Sequence, residues 1–189
     1  MKTRILWVLI IILLLGFILL QIQGRNLFSN ENTMKKINSD FTIKSSAFKD
    51  GEFIPLRFTG DGEDVNPLLE IKNTPQNAKS LALIFDDPDA TGGDIWTHWV
   101  LWNINPQTQY IAEDSVPEGA ITGINSWGKN SYGGPYPPKG SKPHRYFFRL
   151  YALDTVLNLP PSSNANDLRK AMEGHILDET TLMGLYSRK

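Results

Sequence analysis

The chain has 189 residues and a mass of 21.3 kDa, which leaves room for one domain of the usual ~100–200 residues and a short extension. At 41% hydrophobic and 21% charged, with 15 Gly and 12 Pro, its composition excludes wholesale disorder and collagen-like repeats. The formal net charge is −1, and without residues 1–25 (Lys2, Arg4 and Arg25) 16 basic side chains face 20 acidic ones. Nucleic acid is thereby excluded as a partner, since binding to a phosphate rail begins with a basic patch. The absence of cysteine rules out disulfides, thiolate nucleophiles, Cys-ligated metals and a lipid-modified cysteine anchor.

Residues 5–24 carry no charge. As a helix they would span about 30 Å, the thickness of the hydrocarbon core. Residues 1–25 therefore read as an N-terminal transmembrane helix that anchors the protein in a membrane by a single pass. A cleaved signal peptide is the alternative, which would release a secreted or periplasmic protein. Its cleavage site would be poor, because Leu20-Gln21-Ile22-Gln23-Gly24 lacks the small-x-small pattern. Positive charges flank the segment almost evenly, and the four-residue N-terminal tail favours an exported domain. Residues 26–38, polar and Asn-rich, read as a tether. Met34 could also serve as an internal start that yields a soluble form.

From Ser39 to Lys189 the pattern is that of one domain. Phe41 and Ile43 alternate with polar neighbours, and Phe53–Phe58 is a second short strand-like run. Ser80–Phe85 is continuously apolar, as expected of a strand covered on both faces. Trp96–Ile104 and Tyr146–Leu153 are rich in aromatic and β-branched residues and also read as strands. Gly- and Pro-dense loops separate them over residues 60–62, 86–95 and 123–143. Leu168, Ala171, Met172, His175 and Ile176 recur at helical spacing, and a final strand is expected over Thr181–Tyr186. The architecture is mainly β and antiparallel.

Three carboxylates, Asp86, Asp87 and Asp89, end the apolar strand where Pro88 turns the chain. They suit either a solvated turn or a set of groups aimed by a rigid sheet. His98 lies in the WTHWVLW strand. Strict alternation puts it with Trp96, Val100 and Trp102 on one face, where a partly desolvated imidazole needs a hydrogen-bond partner. Asp87 is the candidate partner. His144 closes the loop Gly133-Gly134-Pro135-Tyr136-Pro137-Pro138, whose glycines permit close approach of a ligand and whose prolines stiffen a pocket wall. His175 reads as structural. No G-x-S-x-G, Walker loop, G-x-G-x-x-G or H-E-x-x-H occurs. No activated nucleophile or cofactor motif stands out, and two histidines from distant segments give no metal-ligand spacing.

DDPDA at 86–90, TGGDIWTHWVLWNI at 91–104, GGPYPPKGSKPHRYFFRLYALD at 133–154 and AMEGHIL at 171–177 occur in that order. Together they resemble the phosphatidylethanolamine-binding protein (PEBP) family, in its bacterial and archaeal Raf-kinase-inhibitor-like branch. The resemblance implies an antiparallel β-sandwich with a Greek-key sheet and a few short helices. It also implies a pocket for small anions or phosphorylated ligands. Carried over by position, the pocket residues are Asp87, Asp89, Trp96, His98, Gly134, Pro138, His144 and Tyr146, with Arg145 serving the scaffold through a carboxylate. Thr91 stands where the family usually has proline. The implied function is a membrane-tethered phospho-group binder. The alternatives are regulation of a partner enzyme through the same pocket, or weak hydrolysis by His/Asp acid–base chemistry. If His98 or His144 donates as an imidazolium, phosphate should bind more tightly at pH 6 than at pH 8.

Overall fold

The computed structural model describes residues 40–189, so the anchor and tether expected over 1–25 and 26–38 lie outside the described residues. Among the described residues, no helix is long and apolar enough to cross a membrane. Eight strands among the described residues form two antiparallel sheets. β1 (Thr42–Ser45), β2 (Leu69–Lys72) and β5 (Tyr110–Ile111) make a small sheet in the order β1-β2-β5. β3 (Ser80–Asp87), β4 (Trp96–Ile104), β6 (Ile121–Thr122), β7 (His144–Leu153) and β8 (Ile176–Tyr186) make the large one, ordered β6-β4-β3-β7-β8.

β3 is central and buried along its whole length, which explains its unbroken apolar run. Leu81, Leu83 and Phe85 point towards the small sheet, into a core shared with Ile43, Ile71, Trp99, Leu101, Tyr146 and Phe148. Phe85 stacks on Phe148 at 3.9 Å between ring centroids. Ala82 and Ile84 point the other way, to Val100, Trp102, Leu168 and Met172. The second face is covered by helix α1 (Ala165–Met172).

Helix α1 starts at Asn164, whose side-chain oxygen accepts from the amides of Asn166 and Asp167, while the Asp167 carboxylate accepts from the Asn164 amide. It stops earlier than its apolar spacing predicts. Gly174 adopts a φ of 78°, a left-handed conformation that turns the chain out of the helix. His175 therefore lies beyond the helix, half-exposed and bonded to Asp154 at 2.8 Å, and Ile176 already begins β8. The Phe53–Phe58 run is not a strand. Pro55 has no amide to give a ladder, and the chain coils after it into a 3-10 turn over Leu56–Phe58.

β4 departs from β3 at two places where the register shifts, near Trp102–Asn103 and at His98. Asn103 takes a φ of 56° there, and its side chain is held by two bonds of 2.9 Å with the backbone of Leu157. The second bulge positions the site.

Candidate functional site

Phe85 pairs with Trp99 and Asp86 with Thr97, which leaves His98 as the extra residue of a bulge. The bulge reverses the alternation from this point. His98 and Trp96 thus leave the Val100–Trp102 face expected from spacing and join the face of Phe85 and Tyr146. The His98 ring lies 5.2 Å from Phe85, 5.3 Å from Tyr146 and 5.0 Å from Trp127, measured between centroids. Its partner is not Asp87. Nδ1 donates to the Gly133 carbonyl at 2.7 Å, and the Gly133 amide returns a bond of 3.1 Å to the His98 carbonyl. The ring is only 2% exposed. Burial, the dominant cause, lowers its pKa from 6.5 to about 4. At pH 6 it is neutral and does not take the expected donor role of a protonated imidazole.

Asp87 instead serves His144. The His144 Nδ1–H donates to Asp87 Oδ2 at 2.8 Å, and both side chains are buried. The second oxygen, Oδ1, accepts from the Asp89 amide at 2.8 Å. A buried carboxylate with both oxygens occupied fixes the tautomer and plane of the imidazole.

The other carboxylates of the strand end are also committed. Asp86 points to the opposite face, fully buried, where Arg149 and Arg169 reach it at 3.1 and 2.8 Å. Burial raises its pKa and the two guanidiniums oppose that rise. The pair ties β3 to β7 and α1 just before Asp87. Asp89 receives a two-pronged bond from Arg145, at 2.8 Å from Nε and 2.7 Å from Nη2. Arg145 holds its pKa down to about 2. Asp89 thus braces the loop from outside and does not line the pocket, and Arg145 has the scaffold role expected of it.

The pocket itself has a volume of about 330 Å³ and is lined by Asp87, Ala90, Thr91, Trp96, His98, Trp127, Tyr136, Pro137, Pro138, His144, Tyr146 and Arg188. Of the eight residues expected from sequence, six line it: Asp87, Trp96, His98, Pro138, His144 and Tyr146. Gly134 lies in an adjoining depression with Gly60 and Asp64, its amide donating to Asp64 at 2.6 Å.

Tyr146 comes from β7, two residues after His144 on the same face. Its hydroxyl is buried beside the Asp87 carboxylate and has no partner at ordinary hydrogen-bond distance among the described residues. Burial, with the nearby Asp87 charge, raises its pKa far above the usual phenol value, so the proton stays on oxygen. A phenolic O–H held this way is a donor ready for a ligand.

Two lining residues were not legible as such. Trp127 packs edge-on to His98 and to Trp96. Its turn is shaped by Asn125, whose Oδ1 accepts from the amides of Trp127 and Lys129. Arg188 enters from the C-terminal segment. Its Nε contacts Asp61 at 2.9 and 3.0 Å, and its guanidinium lies 3.6 Å from the Tyr136 ring centroid. Among the described residues, no cluster of three His, Asp or Glu side chains could hold a metal ion.

A two-sheet antiparallel β domain with a preformed pocket built from a strand bulge, a buried His–Asp pair and a Pro-rich wall defines the class. Residues 44–187 match the family model described as phosphatidylethanolamine-binding protein, and the chain belongs to that family. A UPF0098 protein of Methanothermobacter thermautotrophicus is 50% identical over 151 residues, 77% of this chain and 98% of that protein. Among solved structures, a phosphatidylethanolamine-binding protein homologue of Chlamydia trachomatis is 35% identical, with a TM-score of 0.75 over 80% of this chain and all of that one. YbcL of Escherichia coli, described as a member of the mammalian PEBP family, is 29% identical with a TM-score of 0.75, over 79% of this chain and 99% of that chain.

Proposed function

We propose that this protein binds small oxyanions, or the phosphorylated end of a larger ligand, in the pocket between His98, His144 and Tyr146. The observation that carries the reading is the Tyr146 hydroxyl, a buried donor in the pocket wall without a partner at hydrogen-bond distance among the described residues. The Arg188 guanidinium adds donors on a neighbouring wall. Trp96, Trp127 and Tyr136, partly exposed at the rim, supply apolar surface for whatever carries the anion. Isothermal titration of phosphate into the wild type and Tyr146→Phe tests the reading. The variant should bind about tenfold more weakly, the loss of one hydrogen bond to a charged group. Wild-type protein that takes up no phosphate, or a variant of equal affinity, would refute it.

Residues 5–24 support a second part of the proposal, that the domain is tethered to a membrane by a single pass and faces the exported side. The full chain should sediment with membranes and resist alkaline carbonate extraction. Recovery of the intact chain in the soluble fraction would exclude the tether.

A further inference from the structure

An anion pocket is usually a collection of donors, yet one wall of this pocket accepts. The Gly133 carbonyl can only accept a hydrogen bond, so the contact at 2.7 Å fixes a proton on His98 Nδ1. The Gly133 amide also holds the His98 backbone, which keeps that carbonyl in place, and turning the ring over would give up the Nδ1 bond. The Gly134 backbone also lies against the ring, but Nε2 has no partner of ordinary hydrogen-bond geometry among the described residues, and His98 lines the pocket. Nε2 therefore meets the ligand with its lone pair. The ring is packed among Phe85, Trp127 and Tyr146, surroundings that disfavour a second proton. Asp87, a further acceptor in the wall, has both oxygens engaged, by His144 and by the Asp89 amide.

A fully deprotonated oxyanion such as sulfate would set an oxygen lone pair against the Nε2 lone pair and leave both unpaired in a desolvated site. An oxyanion that keeps a proton near neutral pH can turn that O–H towards Nε2 and its charged oxygens towards Tyr146 and Arg188. We propose that the pocket selects protonated oxyanions, with hydrogen phosphate as the type, over unprotonated ones of the same shape, and that His98 Nε2 is the acceptor that makes the choice. The inference rests on the oxyanion reading of the site and sharpens it.

The test is calorimetric titration of the full chain at pH 7 and constant ionic strength with phosphate, arsenate, sulfate and selenate. Phosphate and arsenate, which carry a proton at this pH, should bind about tenfold or more tightly than sulfate and selenate. Equal affinities for all four, or a preference for sulfate, would overturn the selection while leaving the oxyanion reading intact. Failure of all four to bind would overturn both. His98→Asn keeps an N–H for the Gly133 carbonyl and removes the acceptor, so the phosphate-to-sulfate ratio should fall towards one. A ratio unchanged in that variant would take the choice away from His98. If the variant does not fold, the grouping of the four anions on the wild type decides.

Discussion

Lowering the pH is expected to destabilise the fold through His98, and the size of the effect follows from its surroundings. In the unfolded chain the imidazole has a pKa of about 6.5, whereas burial lowers it to about 4 in the folded protein. Above pH 6.5 the ring is neutral in both states and contributes no pH dependence. Between the two values only the unfolded chain takes up the proton, so stability falls as pH falls, by at most about 1.36 kcal/mol per pH unit. The loss attributable to this ring is about 2.5 kcal/mol at pH 4.5 and levels off at about 3 kcal/mol below pH 4. The ring is 2% exposed, so solvent screening does not reduce that value appreciably. Urea unfolding followed by tryptophan fluorescence at pH 7.0 and 4.5 measures it, with His98→Asn as the non-titrating reference. Every other ionisable group is common to both proteins, and the difference between the two losses isolates His98. The wild type should lose about 2.5 kcal/mol more than the variant. Equal losses would show that the ring is not held neutral by burial, and the acceptor role of Nε2 would fall with it.

Arg188→Ala should weaken phosphate binding about tenfold in calorimetry by removing a charged donor from the pocket wall; unchanged affinity would place that guanidinium outside the ligand's reach. Asp89→Asn should leave phosphate affinity within about twofold, because Asp89 faces Arg145 and not the hollow. Its effect is on stability: the depressed Asp89 pKa stabilises the fold above about pH 4 and loses that contribution as pH falls towards 2. The melting temperature of Asp89→Asn should therefore lie about 2–4 °C below wild type at pH 7, with the gap closing in acid. Gly134→Ala should cost about 1–3 kcal/mol in urea unfolding, since the added Cβ would lie 2.6 Å from the Phe58 carbonyl oxygen and 2.7 Å from Thr59 Cα, both backbone atoms.

The large strands were readable because each carries a strong physical signal. β3 is apolar throughout because both its faces are covered, and β4 and β7 combine aromatic residues with sheet alternation. β5 and β6, at two residues each, are too short to show any period. The convergence of His98, His144 and Tyr146 on one hollow agrees with the sequence expectation, but the pairing of His98 with Asp87 does not. Spacing assumes an unbroken ladder, whereas a bulge moves His98 to the other face and a loop carbonyl 35 residues away captures its Nδ1. Arg188 carried no signal at all. Its position depends on the C-terminal segment pairing with the Pro-rich loop, where Lys139 bridges Arg188 and the Gly140 amide donates to the Arg188 carbonyl at 3.0 Å. Contacts of that kind arise from tertiary packing and leave no local period.

A crystal structure of the protein soaked in saturating phosphate tests the central claim most directly. The account expects a phosphate in the pocket with one oxygen within hydrogen-bond distance of the Tyr146 hydroxyl and another facing His98 Nε2. A pocket filled only by water at that concentration, or phosphate bound only elsewhere on the surface, would contradict it.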